Sequence, residues 1–162
     1  MYKLLIIDDD KDICLVLSRF LVKNNYAVDV AHRGEDGLKL LRDTQYDLIL
    51  CDYRLPDHTG VEMLRKIKLL QPLVAVVIIT GYSDVRTAVE TFRYGASDYV
   101  TKPLYPDELL VTIKETIAKN ETRNVVTSST EQKAEFKKDN SRTSDFIVGK
   151  SIQSQTVQKY IE

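Results

Sequence analysis

The chain has 162 residues, 43% hydrophobic and 29% charged, with a formal net charge of -1. This length suits one compact domain with a short appendage, and the balanced charge does not favour a nucleic-acid or membrane surface. The two cysteines, Cys14 and Cys51, lie far apart, so we expect neither a disulfide framework nor a zinc site. With no signal-peptide core and no long apolar span, a cytoplasmic setting is the expectation.

Short apolar runs alternate along the chain with longer segments of helical period. In chain order, strands are predicted at 3–7, 26–31, 47–51, 74–79 and 98–100. Three of these runs are continuously apolar, which is typical of strands buried on both faces. Helices are predicted between the strands and after the last one. With right-handed crossovers, this alternation predicts an α/β fold: a doubly wound parallel sheet with helices on both faces.

From about residue 120 the sequence becomes polar and rich in Ser, Thr, Asn and charged residues. Residues 120–145 are therefore predicted to form a polar linker or a frayed continuation of the last helix. No apolar heptad repeat runs through this segment, which leaves dimerisation open. The GKS triplet at 149–151 resembles the end of a phosphate-binding loop, but that pattern requires a glycine five positions before Gly149, where Ser144 stands. No nucleotide site is therefore predicted there.

Polar residues follow directly after several of the apolar runs. In an open parallel sheet, ligands bind beyond the carboxyl ends of the strands, which is where these residues are expected to lie. Asp8 and Asp9 follow the first strand, Asp52 the third and Thr80 the fourth, and Lys102 follows the fifth. Clustered carboxylates repel unless a cation neutralises them, and hard oxygen ligands suit magnesium better than zinc. In such a site an aspartate can attack a phosphoryl group whose oxygens contact an ammonium and a hydroxyl. The pattern predicts a magnesium-dependent phosphoryl-accepting site with Asp52 as the nucleophile.

Four stretches carry these residues: LLIIDDDKDI, DLILCDYRLPDHTG, VVIITGYSDV and GASDYVTKPLYPDEL. Together they resemble the receiver domain of two-component response regulators, over residues 1–119. The resemblance implies a flavodoxin-like five-stranded sheet in the order 2-1-3-4-5. It also implies a cis peptide bond between Lys102 and Pro103.

The same resemblance implies a role for each residue of the acidic group. Asp52 is the phosphoacceptor, and magnesium (or manganese) is bound by Asp9, Asp52 and the backbone carbonyl of Arg54. Asp8 assists through a water molecule. The chain is then not a conventional enzyme, although magnesium-dependent self-phosphorylation and autodephosphorylation at Asp52 are expected.

Further residues are implied to respond to the phosphoryl group. Thr80 and Lys102 contact it, and Thr80 together with Tyr99 forms the conformational switch. The positions two after the acceptor and two after the threonine influence how water reaches an acyl phosphate in this family. Here they are Arg54 and Tyr82, both bulky, and our hypothesis is that they lengthen the lifetime of the phosphoaspartate.

The resemblance extends to partners. It implies a sensor histidine kinase as the phosphodonor and an effector domain in a longer chain that activates transcription. Residues 146–162 are similar to the opening of the AAA+ ATPase domain of NtrC-type activators, so we expect a regulator truncated after the linker. A homodimer is compatible with the sequence. No direct nucleic-acid or membrane binding is expected of this piece.

Two alternatives belong to other functional classes. A haloacid-dehalogenase-like phosphatase also uses an aspartate at a strand end, but it requires an acid where Arg54 stands and a cap domain for which no segment remains. A receiver-like interaction module that is never phosphorylated usually lacks one of the site residues.

Overall fold

The computed structural model describes residues 1–81 and 85–138, with side chains described for 1–81 and 85–125. Strands and helices alternate through this part of the chain, and each predicted strand is present within one residue of its expected bounds. The elements are β1 (Lys3–Ile7), α1 (Lys11–Lys23), β2 (Ala27–Ala31), α2 (Gly34–Asp43), β3 (Leu48–Asp52), α3 (Gly60–Leu70), β4 (Ala75–Thr80), α4 (Val85–Arg93), β5 (Asp98–Thr101) and α5 (Pro106–Lys138).

The five strands form one parallel sheet in the order β2-β1-β3-β4-β5, which confirms the predicted doubly wound topology. Successive side chains of a strand point to opposite faces. On β1, Leu5 and Ile7 pack with residues of α2 and α3, whereas Leu4 and Ile6 pack with residues of α1 and α5. Strands β3 and β4 are buried along their whole length. Covering both faces with helices explains why these strands lack polar residues until their carboxyl ends.

Side chains at the carboxyl edge of the sheet cap the first turns of α1 and α3. The Asp10 carboxylate accepts hydrogen bonds from the N–H groups of Asp12 and Ile13, at 3.0 and 3.1 Å, and caps α1. The Thr59 hydroxyl accepts one from the N–H of Glu62 at 3.3 Å and caps α3. Each cap satisfies first-turn N–H groups that have no partner within their own helix.

The α/β unit comprises Met1–Thr122, and a second unit comprises Arg123–Glu162. Because α5 extends to Lys138, helix occupies residues 120–138 of the predicted linker. This stretch contains neither proline nor glycine, the two strongest helix breakers. The rest of the predicted linker and the segment at 146–162 lie outside the described residues. Within the described residues, no helix combines the length and apolarity that crossing a bilayer requires.

Candidate functional site

Three carboxylates meet at the carboxyl edge of the sheet. Asp8 and Asp9 follow β1, and Asp52 ends the neighbouring strand β3. One ligand oxygen from each of the three lies within 4.8 Å of the others. Asp8 and Asp52 are buried, whereas Asp9 is exposed. The carboxylates thus form a compact acidic group with one open side.

Lys102 reaches this acidic group from the loop after β5. Its Nζ lies 3.3 Å from Oδ2 of Asp8 and 3.5 Å from Oδ2 of Asp52. Its backbone N–H donates to the carbonyl of Thr80 at 2.7 Å, which ties the loop to the end of β4. The Lys102–Pro103 peptide bond is cis, as the resemblance implied. One ammonium group is therefore shared by two carboxylates.

The charges in the group perturb one another. Burial and the charge of Asp8 raise the pKa of Asp52 to about 6, against the opposing effects of Lys102 and the Arg54 N–H. Burial lowers the pKa of Lys102, but the carboxylates of Asp52 and Asp8 outweigh this effect and raise it. Within the described residues, three carboxylates thus lie beside the Lys102 ammonium, and the donor set is made of hard oxygen ligands. Both features fit a divalent cation such as magnesium.

The remaining predicted residues lie around this group. Thr80 is buried at the end of β4, the strand next to that of Asp52, and it pairs with Thr101 on β5. Tyr99 is half-buried on β5, and its side chain packs against the core on the α2 and α3 face of the sheet. Arg54 follows Asp52 in the loop after β3, and its N–H lies 3.5 Å from Oδ1 of Asp52. Tyr82, the second tuning residue of our hypothesis, lies outside the described residues.

Two contacts to Asp8 have no counterpart in the sequence prediction. The Cys14 thiol donates to the backbone carbonyl of Asp8 at 3.3 Å, and Nδ1 of His32 lies 3.1 Å from the same oxygen. Burial is the main cause that raises the pKa of Cys14, to about 12, so its sulfur stays a neutral thiol near neutral pH. The spacing of residues along the chain predicts neither contact, since Cys14 and His32 stand 6 and 24 positions from Asp8.

The order of the sheet and the acidic group at its edge define a domain of the receiver type. Residues 4–114 match the response regulator receiver domain family, and the chain belongs to this family. It is thus a receiver domain of two-component signalling.

Relatives of this chain include regulators of transcription. Transcriptional regulatory protein ZraR of Klebsiella oxytoca is 41% identical over 115 residues, which are 71% of this chain and 26% of ZraR. Response regulator ArlR of Staphylococcus aureus is 35% identical over 126 residues, which are 78% of this chain and 57% of ArlR. The chain therefore spans about a quarter of ZraR and somewhat more than half of ArlR.

Solved structures share the fold. A CheY-like receiver domain protein from Methanospirillum hungatei has 32% identity and a TM-score of 0.73, and the match covers 76% of this chain and 98% of that one. A response regulator from Burkholderia pseudomallei, solved with a phosphorylated aspartic acid, a calcium ion and citrate, has 27% identity and a TM-score of 0.67. That match covers 78% of this chain and 75% of the other.

Proposed function

We propose that Asp52 accepts a phosphoryl group from a phosphohistidine of a sensor histidine kinase. The observation that supports this most directly is the meeting of Asp52 with Asp8, Asp9 and Lys102 at one edge of the sheet. A carboxylate oxygen of Asp52 attacks phosphorus, the bond from phosphorus to the imidazole nitrogen breaks, and an acyl phosphate forms. Membership of the receiver family supports the same reaction.

The acidic group requires a cation for this chemistry, and its oxygen donors suit magnesium or manganese. We assign Asp9, Asp52 and the backbone carbonyl of Arg54 as its ligands, with Asp8 acting through a water molecule. When bound, the cation supplies positive charge beside the phosphoryl oxygens. The Lys102 ammonium neutralises a further phosphoryl oxygen, because it already lies between the two buried carboxylates.

Transfer becomes a signal if the phosphorylated domain favours a different conformation. A bound group shifts such an equilibrium only by its differential affinity for the two states. The Thr80 hydroxyl donates a hydrogen bond to the phosphoryl group, and the Tyr99 ring moves into the space that the hydroxyl leaves. The changed surface then controls a C-terminal effector domain in the full-length regulator, with a homodimer as one route. We place this activity in the cytoplasm, where a kinase supplies the phosphoryl group.

Hydrolysis of the acyl phosphate ends the signal. We propose that Arg54 and Tyr82 restrict the approach of water to Asp52. The Tyr82→Ala variant should therefore dephosphorylate faster than the wild type, measured as loss of the phosphorylated mass after removal of the donor. An unchanged rate in this variant would contradict the role given to Tyr82.

The central test uses acetyl phosphate and magnesium with the full chain. Intact-protein mass spectrometry should find one added phosphoryl group in the wild type and in the control variant Glu115→Gln, which alters an exposed acid of α5. Asp52→Asn, or wild type with excess EDTA, should carry none. Modification that persists in Asp52→Asn would refute the assignment. Steady turnover of phosphate esters would instead favour a phosphatase.

Lys102 is tested by a separate variant. Lys102→Gln removes the ammonium but leaves the three carboxylates, so phosphorylation should fall while magnesium still stabilises the protein against heat. A loss of both properties would mean that Lys102 is needed for the integrity of the site, in place of the charge role proposed here.

A further inference from the structure

The N-terminus of α2 is capped by a residue from a different part of the chain. Its own N-cap residue, Arg33, makes no side-chain capping hydrogen bond. The two carboxylate oxygens of Asp57 instead accept hydrogen bonds from the N–H groups of Gly34 and Glu35, each at 2.9 Å. First-turn N–H groups lack partners within a helix and favour a negative charge. Asp57 therefore ties the loop after β3 to the start of α2.

His58 and Lys66 lie next to the Asp57 carboxylate. Nδ1 of His58 lies 3.2 Å from Oδ2 of Asp57, and its Nε2 lies 2.8 Å from Nζ of Lys66 on α3. The side chains of His58 and Asp57 are only 10% and 16% exposed. Burial opposes ionisation of Asp57, but the N–H groups of Glu35 and Gly34, together with His58, lower its pKa to about 2. The carboxylate is therefore charged at neutral pH, as a helix cap requires.

The close approach of α2 to this loop is a second sign that the two pack as a unit. A Cβ atom at Gly34 would lie 2.7 Å from Nδ1 of His58 and 2.8 Å from Sδ of Met63. Side chains in proteins do not tolerate such distances without a shift of the neighbouring groups. Glycine at position 34 thus permits the distance at which Asp57 reaches the helix.

The loop after β3 also carries Arg54. Arg54 forms an isolated antiparallel bridge with Thr59, and the N–H of Leu55 donates to the carbonyl of His58 at 3.1 Å. These contacts close a short turn that contains Asp57 and that leads to Thr59, the residue opposite Arg54. Asp57 is thus part of the same hydrogen-bonded turn as Arg54, which stands two residues after Asp52.

We propose that Asp57 is a positioning residue of the acidic site: its bond to α2 keeps the Arg54 carbonyl where a bound divalent cation needs it. This inference rests on the proposed function, which assigns that carbonyl to the cation. Groups that orient a metal ligand are commonly worth tenfold or more in metal affinity. Removing the Asp57 carboxylate should therefore weaken magnesium binding about tenfold.

The test separates loop position from helix stability. Magnesium affinity is measured by NMR titration of the full chain for the wild type, Asp57→Ala, and Asp57→Ala combined with Arg33→Ser. Arg33→Ser gives α2 a local cap, so the double variant should recover free energy of unfolding in urea without recovering magnesium affinity. In the metal-free protein, amide hydrogen exchange at Leu55 should be faster in both variants. Asp47→Ala serves as the control.

Asp47 suits this purpose because its carboxylate also accepts a hydrogen bond from the backbone N–H of a distant residue, Lys3, at 2.7 Å. Asp47 itself directly precedes β3, at the edge of the sheet opposite to the acidic group. This control variant should keep wild-type magnesium affinity. Recovery of affinity on adding Arg33→Ser would overturn the inference, because Asp57 would then act only through helix stability. Unchanged magnesium affinity in Asp57→Ala would also overturn the inference. If the wild type were still phosphorylated, the proposed function would stand. A wild type that neither binds magnesium nor accepts a phosphoryl group would refute the proposed function and the inference together.

Discussion

Replacing Asp52 with asparagine should stabilise the metal-free domain at neutral pH. The wild-type carboxyl has a pKa of about 6 in the folded protein, against an ordinary value of 3.8, because it is buried and lies beside Asp8. Between these values the folded state binds more protons than the unfolded state, so the stability of the wild type falls as pH rises and then stays low above pH 6. The shift corresponds to about 3 kcal/mol. The Asp52 side chain is only 8% exposed, so little of this penalty is relieved by solvent.

Urea denaturation in EDTA, followed by circular dichroism at a series of values between about pH 3.5 and about pH 8, measures this difference. Asp52→Asn should exceed the wild type by about 3 kcal/mol near pH 7, and the two curves should converge as pH falls towards 4. Glu115→Gln, at an exposed position of α5, should follow the wild type throughout. Adding magnesium should raise the stability of the wild type more than that of Asp52→Asn. A ligand that binds only the folded state stabilises that state, and the variant lacks one of the proposed magnesium ligands. An advantage that is absent at pH 7, or that persists below pH 4, would refute the reasoning.

Two predictions concern residues that hold the fold outside the acidic site. Buried Gln71 donates to the carbonyls of Leu41 and Thr44, at 2.8 and 2.6 Å, and accepts from the N–H of Tyr46. Gln71→Met leaves these buried polar groups without partners, so it should lower the free energy of unfolding in urea by about 2–4 kcal/mol. A loss below about 1 kcal/mol would contradict this prediction. Gly95 has a φ of +107°, so the Gly95→Ala variant should lose about 1–3 kcal/mol in the same assay, and wild-type stability in that variant would argue against this conformation.

Much of the site's location follows from local sequence properties. An apolar run of strand length followed by an acid gives both the strand and its end, as at Asp52, and the same holds for Asp8 and Asp9 after β1. Parallel strands end at a common edge, so these acids could be expected to converge. The order of the strands required more than periodicity, since a single sequence has no local signal for which strands are neighbours. It was predicted through the resemblance to receiver domains and confirmed by the sheet.

The succession of strands and helices and the acids at the strand ends thus follow from the sequence alone, because apolarity and its period are properties of short segments. By contrast, the contact of Lys102 with Asp8 and the capping of α2 by Asp57, from 23 positions away in the chain, are visible only in the folded structure. Such contacts depend on how elements cross and on which rotamers their side chains adopt. Neither is encoded in the spacing of residues along the chain.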